Sequence, residues 1–265
     1  MRGQTLRFIT FLAPNMLPVY AFLAGYIGRK LGCPTELLVG ESYDQLGPEA
    51  DVGFICGLPY VNLMRRPEPP VDLLAAPVLG GERYGGRPVY FSDVIVRRDS
   101  RFQSFADLRG AAWAYNEPDS HSGCGVVRYH LVQRGELNGY CGRVVQAGWH
   151  ERSIRLVCSG EVDASAIDSQ VLAVARHQYP ELASRLRVIG TLGPSTIQPV
   201  VAARRLPEPL KAALRDILLG VGHDRAARDC LAQGFVDGFV PVTDGTYDDI
   251  RAMRDAVEAA GLPVL

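Results

Sequence analysis

Between Asn116 and Gly125 the chain reads Asn-Glu-Pro-Asp-Ser-His-Ser-Gly-Cys-Gly, and these residue types at this spacing suit the holding of an anion. Ser120 and Ser122 bring two neutral hydroxyl donors, and both are favourable helix N-caps. Gly123 and Gly125 let the backbone turn tightly and let a ligand approach it closely. A helix that starts here presents its first N–H groups without partners in the helix, at the positive end of its dipole. The plainer reading of the same residues is an ordinary capped helix start with glycines for the turn. Ser-x-Ser-Gly alone does not separate the two.

Other chemistries draw on the same region. Ser122, His150 and Asp168 are the residue types of a hydrolytic triad. They follow in the order Ser, His, Asp, and no Gly-x-Ser-x-Gly elbow surrounds Ser122, because Ser120 holds the first Gly position. Cys124 with His150 would make a thiol nucleophile at a helix start. His150 and Asp168 also read as plain capping residues at helix starts. The six cysteines (33, 56, 124, 141, 158, 230) contain no C-x-x-C pair, and the five histidines (121, 130, 150, 177, 223) no H-E-x-x-H spacing. No metal and no cofactor is therefore expected, and the cysteines read mostly as small core residues.

The elements that must position these residues alternate between strand and helix. The apolar run Ala111–Tyr115 reads as a buried strand broken by Pro118 and Asp119, and Val126–Gln133 as the helix that follows. Val144–Ala147 is a strand with His150 just beyond it, and Asp168 closes a strand begun at Ala164. Three polar positions at three strand ends can thus converge on one crevice. Upstream, Leu6–Leu12, Thr35–Val39, Asp51–Ile55 and Val71–Val78 read as strands, and Leu17–Leu31 as a helix stopped by Gly32. Val89–Val96 is a long strand candidate, and Leu186–Leu192 a strand ended by the turn Gly193–Thr196. From Pro207 onward the chain reads as mainly helical. Alternation of this kind implies mostly parallel sheets flanked by helices. Tyr90 lies near the expected crossing between two lobes, and Tyr43 after the second strand of the first lobe.

Composition narrows the function classes. Of 265 residues, 47% are hydrophobic and 22% charged, which is ordinary for a globular protein. A formal net charge of -1 argues against nucleic acid or anionic membrane as a partner, so any preference for anions must be local. No run reaches the ~20 apolar residues of a membrane span, and direct membrane insertion is not expected.

Taken in order, Ser42-Tyr43-Asp44, Ala50–Phe54, Tyr90–Val96, Asp107–Gly110, Asn116–Gly123, Gly148-Trp149-His150 and Gly160–Ala164 give the chain a family resemblance. It resembles the phosphonate- and phosphate-ester-binding substrate-binding proteins of ABC transporters. The resemblance implies an α/β, two-lobed type II periplasmic-binding-protein-like fold, each lobe a mostly parallel sheet flanked by helices, with a ligand cleft between lobes. Lobe 1 would comprise 1–91 plus 192–265, including the C-terminal helices, and lobe 2 would comprise 92–191. It implies a solute-binding protein rather than an enzyme, capturing a small oxyanion (phosphonate, phosphate or phosphate ester) by lobe closure, as a monomer partnered by an ABC permease. The ligand set it implies is Tyr43, Tyr90, Ser120, His121, Ser122, Gly123, His150 and Asp168, with Asp168 the acid nearest in place to pair with a ligand amine. His121 departs from the family, which often has a hydroxyl residue there. Sensor proteins and biosynthetic enzymes on the same scaffold are the alternatives. Met1–Gln4 runs into Leu6–Leu12 without a secretory leader. The expected location is periplasmic if a leader was trimmed ahead of Met1, and cytoplasmic if Met1 is the native start.

Overall fold

The computed structural model describes residues 5–137, 139–262 and 265; Met1–Gln4, on which the reading of the leader partly rests, lie outside them. The strands in chain order are β1 (Leu6–Thr10), β2 (Thr35–Val39), β3 (Val52–Phe54), β4 (Val71–Leu79), β5 (Val89–Arg97), β6 (Ala112–Tyr115), β7 (Arg143–Gln146), β8 (Ala164–Asp168), β9 (Leu186–Thr196), β10 (Val200–Ala203) and β11 (Val236–Val240). The helices are α1 (Leu17–Leu31), α2 (Gly57–Leu63), α3 (Val126–Gln133), α4 (His150–Ser159), α5 (Ser169–Gln178), α6 (Pro180–Arg185), α7 (Glu208–Val221), α8 (Arg225–Ala232) and α9 (Asp248–Ala259).

Two compact units divide the chain: Met1–Val89 with Thr196–Asp248, and Tyr90–Ser195 with Asp249–Leu265. The first unit holds a sheet in the order β11-β4-β10-β3-β1-β2. Phe8 and Ile9 of β1 are both buried although they face opposite sides, as expected of a strand covered on both faces. α1 ends where its apolar spacing does, at Gly32 with φ +66°, a left-handed cap that suits glycine. The second unit holds a sheet in the order β7-β6-β8-β5-β9. Its core gathers Trp113, Phe105, Leu108, Val126, Val127 and Leu131 around that sheet. Each such side chain contributes about 1.5–3 kcal/mol by leaving water.

Several expectations need correction. Both sheets are mixed. β1 pairs in parallel with β2 and β3, but β10 runs antiparallel to β3 and β4, and β11 antiparallel to β4. In the second sheet β6 is parallel to β7 and β8, while β5 is antiparallel to β8. β9 does not stop at Leu192 but continues through Gly193-Pro194 to Thr196. β11 lies in a stretch read as mainly helical, where Asp237 and Gly238 dilute its strand character. The last helix was expected in lobe 1, yet from Asp249 onward it belongs to the second unit. There Met253 and Val257 pack on the core around Trp113. The chain therefore passes between units three times, in β5, at the end of β9 and at the start of α9. Among the described residues no helix is long and apolar enough to cross a membrane.

Candidate functional site

Two parallel neighbours, β6 and β7, bring the Ser-rich turn and His150 together. Their register pairs Tyr115 with Gln146. It is prolonged beyond the strands by two backbone bonds, from the Ala147 N–H to the Tyr115 carbonyl and from the Gly148 N–H to the Asn116 carbonyl, each 2.7 Å. Gly148 then turns at φ +84°, a conformation that favours glycine, and α4 opens at His150.

The turn itself is tighter in design than a plain N-cap. Ser120 caps it, its Oγ accepting the Gly123 N–H at 3.1 Å. The Ser120 carbonyl accepts from the N–H groups of Cys124 (3.2 Å) and Gly125 (3.0 Å). His121–Gly125 form a wide π-type turn that runs straight into α3. The helical backbone thus begins at His121, ahead of the Val126 start read from the sequence. Gly123 packs closely on Asn116: a methyl group there would sit 1.9 Å from Asn116 Oδ1, so the Asn116 side chain would have to move.

Around this turn the polar side chains interlock. Ser122 Oγ lies 3.0 Å from His150 Nε2 and 3.4 Å from Ser120 Oγ. Ser92 Oγ donates to the Ser122 carbonyl at 2.6 Å. His121 Nε2 lies 2.9 Å from Ser195 Oγ, and the Tyr90 and His121 rings are 6.5 Å apart between centres. Asp168 faces Ser92 directly across the β5–β8 ladder. Its Oδ1 accepts the N–H groups of Gln170 (2.8 Å) and Val171 (3.3 Å), which makes it the N-cap of α5. Seven of the eight expected residues thus stand at one end of one sheet. Tyr43 belongs to the other unit, in a short 3-10 turn capped by Ser42, with its ring 4.4 Å from that of Phe11. Three residues at the site were not singled out from the sequence. Ser92 was legible only as part of a strand, Asn116 only as part of the loop, and Ser195 only as a turn residue.

Burial sets the electrostatics. His121 is 1% exposed and His150 5%. Desolvation lowers their pKa values from 6.5 to about 4 and about 3, so both are neutral imidazoles at ordinary pH. Burial also lifts the Cys124 thiol to about 11, which removes it as a thiolate nucleophile. Glu117, just ahead of the turn, rises to about 7, mainly by burial and further by the charge of Asp119. His150 Nδ1 and Asn116 Oδ1 are buried without a protein hydrogen-bond partner among the described residues. His150 therefore lacks the carboxylate that would orient it in a triad. What gathers here is mainly neutral, two hydroxyls, two imidazoles and the first N–H groups of the turn at His121 and Ser122, with the Asp168 carboxylate beside them; the neutral donors suit an oxyanion. Among the described residues no cluster of three or more His, Cys, Asp or Glu could hold a metal ion.

Comparison with known proteins agrees with this architecture. A binding protein component of an ABC phosphonate transporter from Pseudomonas aeruginosa superposes with a TM-score of 0.84 at 18% identity, covering 97% of this chain and 87% of that one. A protein from Prochlorococcus marinus, solved in complex with methylphosphonate, gives 0.82 at 17% identity, covering 96% and 98%. These likenesses establish the two-lobed periplasmic-binding-protein fold. The phosphonates-binding periplasmic protein of Escherichia coli K12 is 27% identical over 142 residues, which span 52% of this chain and 42% of that protein. The match thus spans less than half the length of that curated relative. A family model for the periplasmic substrate-binding proteins of phosphonate ABC transporters matches residues 10–247, and the chain belongs to that family.

Proposed function

We propose that this protein is a periplasmic solute-binding component that captures a small phosphorus oxyanion, a phosphonate, phosphate or phosphate ester, and delivers it to an ABC permease. The observation that carries this reading is the Ser120–Gly125 turn, with Ser122 Oγ 3.0 Å from a buried neutral His150 at the head of a helix. When His150 Nε2 carries the proton it donates to Ser122 Oγ, and the Ser122 hydroxyl hydrogen is left to donate to the anion. Ser120 Oγ already accepts the Gly123 N–H, so its own hydrogen is likewise directed elsewhere. Tyr90, His121 and Gly123 complete the proposed contacts in this unit, and Tyr43 is the proposed contact from the other. Asp168 is proposed to meet a positively charged part of the ligand. Its capping of α5 holds the carboxylate in place.

The same observations support a binder over an enzyme. His150 is a weak base once burial has lowered its pKa to about 3, and its Nδ1 has no acid partner among the described residues. The test is calorimetric titration of wild type and Ser122→Ala with phosphate, methylphosphonate, aminoethylphosphonate and simple phosphate esters, with product analysis of each mixture. The expected result is saturable binding without turnover, weakened in the variant by about 1–3 kcal/mol, or roughly 5- to 150-fold. Turnover that vanishes in the variant while affinity holds would make Ser122 a nucleophile. No binding of any of these ligands by folded protein at about 1 mM would end the phosphorus-oxyanion reading.

A further inference from the structure

The second unit carries another concave, charged feature, at the opposite end of its sheet. A groove of about 540 Å³ is lined by Arg97, Asp99, Arg101, Phe102, Arg109 and Asp163, among others. These residues stand where β5 ends and where β6 and β8 begin, whereas the Ser-rich turn follows the end of β6. Three arginines against two aspartates leave the lining with one excess positive charge, in a chain whose formal net charge is -1.

Internal partners engage only part of this charge. Arg97 Nε meets Asp99 Oδ1 at 2.5 Å, and Arg109 pairs with Glu136. Asp163 Oδ2 is occupied by the Ala112 N–H at 2.7 Å. Arg101 is exposed and lies over the Phe102 ring, 5.2 Å from its centre, with no ion pair among the described residues. A cation over the ring face is attracted by the ring quadrupole, and the guanidinium N–H groups remain donors toward solvent. Nearby in the chain's fold, Arg187 donates to the carbonyls of Ser100 and Phe102, which holds the segment that carries Arg101.

We infer that this groove is a second anion site, which takes a small molecule carrying two or more carboxylate or phosphate groups, with Arg101 as its principal contact. A guanidinium fork matches the paired oxygens of either group. Arg97 and Arg109 each hold an acidic partner, which leaves Arg101 as the lining cation with no ion pair among the described residues, and the volume falls in the range of small-molecule sites.

The experiment follows amide shifts of the isotopically labelled protein at low ionic strength. Pyrophosphate and citrate are titrated separately into wild type, Arg101→Gln and Ser122→Ala. Saturable shifts at 97–102, 109–111 and 160–163 are expected, unchanged in Ser122→Ala and about tenfold or more weaker in Arg101→Gln, the scale of a charge-assisted hydrogen bond. Response to pyrophosphate alone assigns the site to phosphates, and to citrate alone, to carboxylates. Absence of saturable shifts in these segments up to about 10 mM, or equal affinity in natively folded Arg101→Gln, overturns the inference. Arg101 is exposed, so its replacement leaves the core intact.

Discussion

At the end of the second sheet where β6 and β8 finish, four polar side chains are buried and neutral, Ser120, Ser122, His121 and His150, beside the buried carboxylate of Asp168. At the end where the same strands begin, Arg97, Arg101 and Arg109 stand exposed and charged. A desolvated dipole held at fixed distance acts through geometry in a low dielectric, so it selects shape and hydrogen-bond pattern. An exposed guanidinium acts through its charge, which salt screens over about 10 Å at 0.1 M. The two proposed sites of one unit would thus meet an anion in two ways. The buried end trades long-range attraction for selectivity, and that selectivity depends on the shape of one turn.

The largest effect should come from deforming that turn. Gly123→Val places new atoms where a Cβ alone would already meet Asn116 Oδ1 at 1.9 Å. Titration with methylphosphonate should then give no measurable binding, and urea unfolding should register a loss of about 1–3 kcal/mol from overpacking. Gly123→Ala should be partly rescued by Asn116→Ala, because the double change removes the clash. Wild-type affinity in Gly123→Val would break the idea that geometry rules this end.

Next in size is the pH response of the buried imidazoles. His121 and His150 have folded pKa values of about 4 and about 3, against 6.5 when free. Between these values the unfolded chain binds more protons, so their stabilising contribution is complete above pH 6.5 and declines as the pH falls towards 4. Each histidine adds at most about 1.4 kcal/mol per pH unit to that slope. Urea midpoints from pH 4.5 to 7.5 should fall less steeply on acidification in His121→Gln and in His150→Gln than in wild type. Equal slopes would mean that the imidazoles are not held neutral by burial.

Glu117 should give the smallest effect, with the opposite sign. Its folded pKa of about 7 lies above the ordinary 4.5, so the folded state binds more protons between these values. Its contribution therefore turns against the fold as pH rises through that window. Glu117→Gln should gain stability relative to wild type at pH 8 and match it at pH 4.5, as read from melting temperature. A variant that loses stability at pH 8 would place a favourable partner on the ionised carboxylate and sharpen the boundary of the neutral region.

Much of this was legible in the sequence because it is local. Helical spacing of apolar residues marks α1 at Leu17–Leu31 and α3 at Val126–Gln133, and glycine marks the stop of α1. Ser120, Ser122 and Gly123 announce a capped turn because capping and tight backbone approach need those residue types within a few positions of one another. The acidic residue ahead of α5 signals an N-cap in the same way.

Tertiary structure decided what depends on partners distant in the chain. Ser122 meets His150, 28 positions away, only because β6 and β7 pair in parallel in one register. Ser92 and Ser195 join the site through bonds to Ser122 and His121 that no spacing announces. Antiparallel pairing of β10 and β11 and the seat of α9 in the second unit follow from which apolar faces meet, and a face does not encode its partner. The neutrality of the two histidines has the same origin. An isolated imidazole titrates near 6.5, and only the surroundings that exclude water, assembled from several strands and helices, move it to about 4 or about 3.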